Sequence, residues 1–454
     1  MPGARNETPH TGTPGTVTPV TVAPAPVVLA LLVGVVLVIG SVLVGLHLRA
    51  EGARLYLGGP LLAGSWDPRL PVAVWLPVLV AVTVLALAPH ADLLGFGRLL
   101  SVAAVATAAW AVSLALVDGP GGLTRGLDSV HDYLADVPRV TALRDLLPGY
   151  VDRVPAGSAD AWTTHVGGHP PGTLFLFTVL DRLGLSGSGP AAVLCIAAGA
   201  CAVPAVLLTL RAVADETLAR AAAPFLVLSP AAIWLATSAD ALFLGISAWG
   251  IAGLALAAAA APGLRADLLA LSGGVLLGGS LFLSYGLVLL APLAISVIAV
   301  QRRWRVLVIG GLGVAAVVAV AALAGFWWLA GLEATSGRVR EGAAANRPGL
   351  LFVFANLAAA AIALGPAGVA GLGALLSRAG RRTAVAVPAL AVLAAVLIAD
   401  LSQLSKGEVE RIYLPFHFWL LTATVLLGPR GRTRWLLAQV LAALAVQLLI
   451  RTSW

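Results

Sequence analysis

The sequence predicts an all-α polytopic membrane protein, because its composition leaves too few charges to cover a soluble surface. Of the 454 residues, 59% are hydrophobic and 11% are charged, and the mean hydropathy is +0.97. Soluble globular proteins carry about 25% charged residues. The apolar residues also form long runs, as a bilayer-spanning helix of about 20 apolar residues requires. These observations exclude a soluble enzyme, a disulfide-rich secreted scaffold and a disordered protein.

The apolar runs predict about 13 transmembrane helices within residues 25–454. Residues 1–24, which are rich in Thr, Pro and Gly, are expected to form a disordered cytoplasmic tail. The short run 170–185 carries Asp181 and Arg182 near its end, so we expect it to enter the membrane only part-way. The candidate spans are 25–48, 72–90, 98–117, 170–185, 190–210, 218–237, 240–261, 266–282, 284–300, 306–331, 349–376, 383–401, 413–428 and 433–451.

Clusters of arginine predict the orientation, because cytoplasmic loops of membrane proteins carry an excess of Lys and Arg. This rule places the N-terminus in the cytoplasm, and it places loop 118–169 and the C-terminus outside the plasma membrane. The net charge of +7 is therefore a topology signal and does not indicate a nucleic-acid partner. The clusters consist of Arg302, Arg303, Arg305, Arg378, Arg381, Arg382, Arg430, Arg432 and Arg434.

Loop 118–169 is the longest hydrophilic stretch of the chain, and loops of this length are usually functional. Apolar residues at helical spacing over 127–136 and 139–147 predict two short amphipathic helices. We expect both to lie on the outer membrane surface.

Aspartates of this loop are candidate catalytic bases. Asp128, Asp132 and Asp136 recur every four residues, so a helix would place them on one face. One interpretation is a solvated polar face. The other is a carboxylate general base, which an inverting glycosyl transfer needs to remove the proton of the acceptor hydroxyl. Asp118, at the start of the loop, is a further candidate.

Two histidines stand at the end of the loop, His165 and the His169 of the stretch GGHPPG. The two prolines of this stretch can begin a helix without losing a needed N–H group. The imidazoles could bind or polarise a phosphate. They could also be metal ligands, although the Gly-Gly pair between them argues against a helix that would align them.

Asp240 follows Ser238 at the junction of two predicted spans. A carboxylate at an apolar junction is costly unless it is hydrated or paired. A helix N-cap made by either residue is the alternative structural role.

Residues 400–416, DLSQLSKGEVERIYLPF, form the most unusual of the other outside loops, and they contain Lys406, the only lysine of the chain. One interpretation is a solvated turn with weak local ion pairs. The other is a cationic clamp of Lys406 and Arg411 on a lipid-linked phosphate, oriented by Glu408 and Glu410.

Taken in order, these motifs resemble the GT-C superfamily of polytopic membrane glycosyltransferases, most closely uncharacterised actinobacterial integral membrane proteins. The ordered set is the acidic outside loop, GGHPPG, the junctional SAD, FLSYGL with its Tyr285, and LSKGEVERIYLPF. The resemblance covers roughly residues 98–428. It departs from the usual pattern in two ways, because the acidic loop follows the third predicted span instead of the first and lacks a paired acidic motif.

The resemblance implies a GT-C-like fold and an extracytoplasmic transfer of a sugar, of the hexose or mannose type, from a polyprenyl-phosphate sugar donor. The acceptor would be a cell-envelope glycan or lipid. Asp132 best matches the catalytic acidic position, with Asp128 and Asp118 as second choices. The donor phosphate would be bound by His165, His169, Lys406 and Arg411, and the last three would stabilise the departing phosphate by fixed positive charge. The supporting residues would be Tyr133, Asp240, Tyr285, Glu408 and Glu410.

No metal ligands are predicted, and a divalent metal stays an open alternative. The rival function is a transporter or flippase for a lipid or an amphipathic solute. Such a protein would show two matched halves and broken helices with polar groups at the midplane of the membrane. The sequence shows no such halves, and its polar groups gather on one predicted side.

Overall fold

The computed structural model describes residues 23–55, 57–59, 61–236, 238–377 and 379–453. Residues 1–22 of the predicted tail lie outside these ranges, as does Arg378 of the second arginine cluster. Within the described residues the chain is built from helices, with one small two-stranded sheet. The helices are α1 Pro24–Ala50, α2 Trp75–Leu87, α3 Phe96–Ala115, α4 Thr164–Gly167, α5 Gly172–Arg182, α6 Ser188–Val213, α7 Glu216–Val227, α8 Asp240–Ala259, α9 Leu264–Leu281, α10 Ala291–Gln301, α11 Trp304–Leu323, α12 Trp328–Glu341, α13 Gly349–Leu376, α14 Ala386–Leu401, α15 Val409–Ile412, α16 Leu414–Leu420 and α17 Arg432–Leu449.

Eight helical segments in the described residues are long and apolar enough to cross a membrane, so the expectation of an all-α membrane protein is confirmed at this level. These are Pro24–Ala50, Val72–Leu93, Phe96–Asp118, Ser188–Val213, Asp240–Ala259, Leu264–Leu281, Trp304–Leu323 and Gly349–Leu376. Three shorter apolar segments accompany them, Tyr285–Gln301, Ala386–Leu401 and Leu414–Leu427.

The outer surface of the bundle is apolar, as a lipid-facing surface must be. On α1, Val36 is 68% exposed, and at the end of α11 Leu323 is 89% exposed. Water-soluble monomers rarely expose apolar patches of this extent. These exposed apolar side chains therefore indicate that the outer surface of the bundle contacts lipid.

The bundle has two ends, and loop 118–171 lies at one of them, here called the site end. At the opposite end, Arg303 donates to the carbonyl of Ala260 at 2.6 Å, and Arg305 pairs with Asp267 at 2.7 Å. These contacts bring the first arginine cluster to the turn between α8 and α9. Helix α8 begins at Asp240, which is joined through Arg411 to His165 of loop 118–169, and it ends beside this arginine cluster. The cluster and the loop are therefore separated by the length of α8.

Helix α5 belongs entirely to the site end. Its first amide, that of Gly172, donates to the carbonyl of Phe282 at 2.7 Å. Its last residue, Arg182, donates to the carbonyls of Val140 and Thr141 in the loop. With 11 residues it is about 16 Å long, too short to cross a bilayer. The expectation that run 170–185 enters the membrane only part-way therefore agrees with this helix.

Two predicted spans are interrupted by irregular backbone. Span 218–237 is not one helix, because α7 ends at Val227 and a 3₁₀ turn over Pro230–Trp234 follows. In α13 the helix breaks at Gly365, where φ is +69°. Gln439 of α17 donates to the carbonyl of Leu364 and accepts from the amide of Ala367, each at 3.0 Å. It thereby satisfies the backbone groups freed by the break, as an apolar environment demands.

A small sheet was not predicted from the sequence. Strands β1, Gly64–Trp66, and β2, Ile450–Thr452, pair antiparallel. The sheet joins the loop after α1 to the segment after α17. Each strand has only three residues, and the alternation of polar and apolar residues over so short a stretch does not distinguish a strand from a turn.

The prediction of two amphipathic helices in loop 118–169 is wrong. The described backbone there forms turns and short 3₁₀ segments, among them Tyr133–Arg139 and Leu143–Asp145. Val130, one of the apolar residues on which this prediction rested, is 73% exposed.

Candidate functional site

Four distant parts of the chain meet at the site end in one buried cluster of charged side chains. Loop 118–169 contributes Asp132, α4 contributes His165, α8 contributes its first residue Asp240, and the segment before and within α15 contributes Glu408 and Arg411. Buried charges are tolerated only where they are paired and hydrogen-bonded, and each contact below supplies such a partner.

Asp132 lies at the start of a 3₁₀ segment and is 4% exposed. Its Oδ1 accepts from the amide of Tyr133 at 2.7 Å, and its Oδ2 lies 2.7 Å from Nδ1 of His165. The amide of His165 donates to the carbonyl of His131 at 2.9 Å, which holds α4 against this turn. Both carboxylate oxygens are thus occupied, and the imidazole is fixed in one orientation.

The second ring nitrogen of His165 faces Arg411. Its Nε2 lies 3.3 Å from a terminal guanidinium nitrogen of Arg411. A guanidinium can only donate, so Nε2 accepts and Nδ1 carries the proton toward Asp132. The cluster therefore selects a neutral tautomer with a lone pair on Nε2.

Arg411 is held by two carboxylates, Asp240 Oδ2 at 2.6 Å and Glu408 Oε2 at 2.8 Å. Burial lowers the pKa of Arg411, but these carboxylates outweigh it and hold that pKa above its usual value. The N-cap interpretation of Asp240 is wrong, since the capping position is Ala239, and Ser238 donates to the carbonyl of Trp234 instead. The solvated-turn interpretation also fails for Arg411, which is 6% exposed.

The two glutamates of this segment differ in environment. Burial raises the pKa of Glu408, but the charge of Arg411 and its hydrogen bond to the carboxylate lower it, and the net shift is downward. Glu410 is wholly buried, and its Oε1 accepts from the amide of Ala63 at 3.2 Å. Burial raises the pKa of Glu410 to about 7, and the nearby Glu408 carboxylate adds to this.

We expect the Glu410→Gln variant to lose a pH dependence of stability that the wild-type chain has. The folded chain holds the Glu410 proton more tightly than the unfolded chain, whose pKa is near 4.5. The contribution of this bound proton to the free energy of unfolding is complete below the pKa of the unfolded chain, and it is lost as the pH rises through about 7. A shift of this size corresponds to about 3 kcal/mol. Melting temperatures of both proteins between these pH values test it, and parallel curves would contradict a buried, protonated Glu410.

The other predicted aspartates lie elsewhere in the loop. Asp118 pairs with Arg69 at 2.6 Å and with Arg125 at 3.7 Å. Asp128 is exposed. Asp136 is buried, pairs with Arg139 and accepts from the amide of Thr163 at 2.8 Å. The prediction that Asp128, Asp132 and Asp136 share one face is wrong, because the loop does not form the helix it assumed.

His169 and Tyr133 line the side of Asp132 that faces α5. The ring centroids of Tyr133 lie 6.1 Å from His165 and 5.7 Å from His169. Nδ1 of His169 lies 2.8 Å from the carbonyl of His165. Burial lowers the pKa of His169 to about 4, so the ring is neutral at pH 7. Since Nδ1 donates to that carbonyl, Nε2 of the neutral ring can only accept a hydrogen bond, so His169 does not supply the fixed positive charge expected for a leaving phosphate.

Lys406 lies beside the cluster and is partly buried. Its Nζ lies 3.4 Å from the carbonyl of Ala345 and 3.3 Å from that of Arg347. Asn356 of α13 fixes this segment, since its side chain bonds the carbonyl of Ser405 and the amide of Gly407 at 2.8 and 2.9 Å. Tyr285 packs edge-on against Trp328 at 5.3 Å and is not among the residues that bond to the cluster.

Sequence reasoning missed the residues that hold the loop in place. Arg338 of α12 donates to the carbonyls of Val154 and Trp162 at 2.7 and 2.9 Å. Arg153 stacks on the ring of Trp162 at 3.3 Å. Arginine and tryptophan in polar loops were visible in the sequence, but nothing in their spacing indicated that they meet.

Within the described residues, no three side chains of His, Cys, Asp or Glu are arranged to hold a metal ion. In comparisons with known proteins, no family model and no curated protein matches this chain.

Proposed function

We propose that this protein is an extracytoplasmic glycosyltransferase of the GT-C type. It would transfer a hexose, of the mannose type, from a polyprenyl-phosphate donor to a cell-envelope glycan or lipid. The observation that carries the proposal is the buried Asp132–His165 pair beside Arg411, at one end of a bundle of apolar helices. Transfer of labelled sugar from a synthetic donor by the purified protein in lipid nanodiscs tests it directly.

We propose about 13 membrane passes for this fold. To the eight long helical segments we add the three shorter ones, the broken segment 216–234, and α17. With the arginine-rich end in the cytoplasm of a plasma-membrane protein, the site end faces outward and the N-terminus inward. Soluble nucleotide sugars are not available on that side, which favours a lipid-linked donor.

The Asp132–His165 pair would serve as the base. As the acceptor oxygen bonds to the anomeric carbon, its hydroxyl would take the place of Arg411 at Nε2 of His165, its proton would pass to that nitrogen, and the donor phosphate would leave with the electrons of the broken bond. Asp132 holds the required tautomer and stabilises the positive charge that develops on the ring. This division of roles differs from direct deprotonation by Asp132, because both oxygens of Asp132 accept hydrogen bonds at 2.7 Å, whereas the contact of Arg411 with Nε2 of His165 is longer, at 3.3 Å.

An apolar groove offers a place for the polyprenyl chain. It has a volume of about 260 Å³ and lies among α9, α10 and α11, with Leu281, Leu290 and Val306 among its lining residues. Phe282, the residue after Leu281, accepts a hydrogen bond through its carbonyl from the amide of Gly172, three residues after His169. A chain seated there would bring its phosphate near the site end.

Lys406 is the cation we assign to the donor phosphate, since Arg411 is already paired with two carboxylates. We expect Lys406→Ala to weaken donor binding while the protein stays folded, because the contacts of Nζ found among the described residues are long ones to two carbonyls. A lost charge-assisted hydrogen bond corresponds to about 1.5–3 kcal/mol, or roughly 10- to 100-fold in Kd.

Binding of a polyprenyl-phosphate sugar to both proteins, measured by native mass spectrometry, tests this assignment. Lys406→Arg keeps the charge and serves as the matched control. Unchanged donor affinity in Lys406→Ala would count against the clamp.

A further inference from the structure

Three polar side chains form a stripe along the α15–α16 segment. Glu410, Tyr413 and His417 follow one another at intervals of three and four residues, which places them on one helical face. The two helices continue through Tyr413, because its amide donates to the carbonyl of Val409 at 3.1 Å and its carbonyl accepts from His417 at 2.9 Å. The stripe therefore runs from the site end into the bundle.

All three side chains are buried, with exposed fractions of 0%, 2% and 0%. Among the described residues, no hydrogen-bond partner is found for Oε2 of Glu410, the hydroxyl of Tyr413 or either ring nitrogen of His417. Burying a polar atom without a partner is costly. Folded proteins satisfy such atoms with ordered water where two or more of them share a site.

The spacing of the stripe suits bridging water. Along a helix axis, residues three and four apart are separated by about 4.5 and 6 Å. A single water molecule that makes two hydrogen bonds of about 2.8 Å spans such a gap. The rings of Tyr413 and His417 have their centroids 6.2 Å apart, nearly perpendicular to each other.

We propose that Glu410, Tyr413 and His417 hold a cluster of ordered water molecules inside the bundle, to which a protonated Glu410 carboxyl donates. This inference is independent of the glycosyl transfer proposed above. It explains how a third carboxyl group can stand beside Arg411 without adding a negative charge to the two carboxylates that already pair with it.

The surroundings of Glu410 agree with a protonated carboxyl. Its charged neighbours on the same segment are Glu408 and Arg411, and burial raises the pKa of Glu410 to about 7. From the loop after α1, the amide of Ala63 donates to its Oε1 at 3.2 Å. Asp400 of α14 is a charged group close to Tyr413.

The hydroxyl of Tyr413 gives the sharpest test. Tyr413→Phe removes one oxygen atom, and we expect it to lower the melting temperature about as much as Tyr150→Phe. The Tyr150 control loses a buried hydroxyl that donates to the carbonyls of Val166 and His169 at 2.9 and 3.1 Å. A hydroxyl without any partner would be better removed, so an unchanged or raised melting temperature in Tyr413→Phe would overturn the proposal.

Infrared spectroscopy keeps the proposal testable if Tyr413→Phe fails to fold. The wild-type protein should show a protonated carboxyl band that is absent in Glu410→Gln. A carboxyl that donates to water absorbs at a lower wavenumber than one without a partner, and its proton exchanges in D₂O. A band at the higher wavenumber that resists exchange, or no band at all, would contradict a hydrated Glu410.

Discussion

Replacing Asp132 with Asn is expected to abolish sugar transfer while the protein remains folded. With the oxygen of the new amide accepting from the backbone of Tyr133, its NH₂ group faces Nδ1 of His165 and can only donate, and it carries no negative charge to stabilise a protonated ring. The base therefore loses both its tautomer and its strength. General-base catalysis contributes about 10²- to 10⁴-fold to a rate, and we expect a loss within that range. Initial rates of transfer from a synthetic polyprenyl-phosphate mannose measure it.

Asp128→Asn is the matched control for this experiment. Asp128 lies in the same loop four residues earlier, but its side chain is exposed. It should retain the wild-type rate. His165→Gln tests whether Asp132 and His165 act as one base. If they do, this variant should lose as much activity as Asp132→Asn. Full activity in Asp132→Asn would refute the assignment of this base.

Replacing Arg411 with Met should have the largest effect on stability. The change leaves a buried carboxylate, Asp240, and a partly buried one, Glu408, without their shared cation. Breaking a buried ion pair by removing one partner costs about 3–5 kcal/mol. We therefore expect a strongly lowered melting temperature, or a protein that cannot be purified in a folded state.

Arg305→Met is the control for the loss of an arginine. Arg305 pairs with Asp267 at 2.7 Å at the opposite end, but its side chain is 72% exposed, and such pairs contribute about 0–1 kcal/mol. Adding Asp240→Asn to Arg411→Met removes one unpaired carboxylate and should restore part of the stability. Equal melting temperatures for Arg411→Met and Arg305→Met would contradict a structural ion cluster.

The sequence predicted the membrane class because composition and run length report directly on the solvent around a chain. It also named Asp132, His165, Asp240 and Arg411, since charged residues at apolar boundaries are costly and stand out. It did not predict that they meet. Asp132 and Arg411 are far apart in the sequence, and their contact through His165 depends on how α4, α8 and α15 pack.

Local patterns failed where tertiary contacts decide the backbone. The four-residue spacing of Asp128, Asp132 and Asp136 matches a helix, yet the loop is held by Arg338 and by side chain–backbone bonds such as that of Asp136 to Thr163. Such bonds compete with helical hydrogen bonding. His169 was expected to be charged because its burial cannot be read from a loop sequence.

The central claim, a transferase that uses a polyprenyl-phosphate sugar, is tested most directly by the lipids that co-purify with the protein. We would compare wild-type protein with Asp132→Asn by mass spectrometry of the extracted lipids. A stalled transferase should retain its donor, so polyprenyl-phosphate sugar should be enriched in the variant, and its mass would give the sugar class. Bulk phospholipid alone in both samples would contradict the donor assignment and favour transport of a lipid or amphipathic solute as the next function to test.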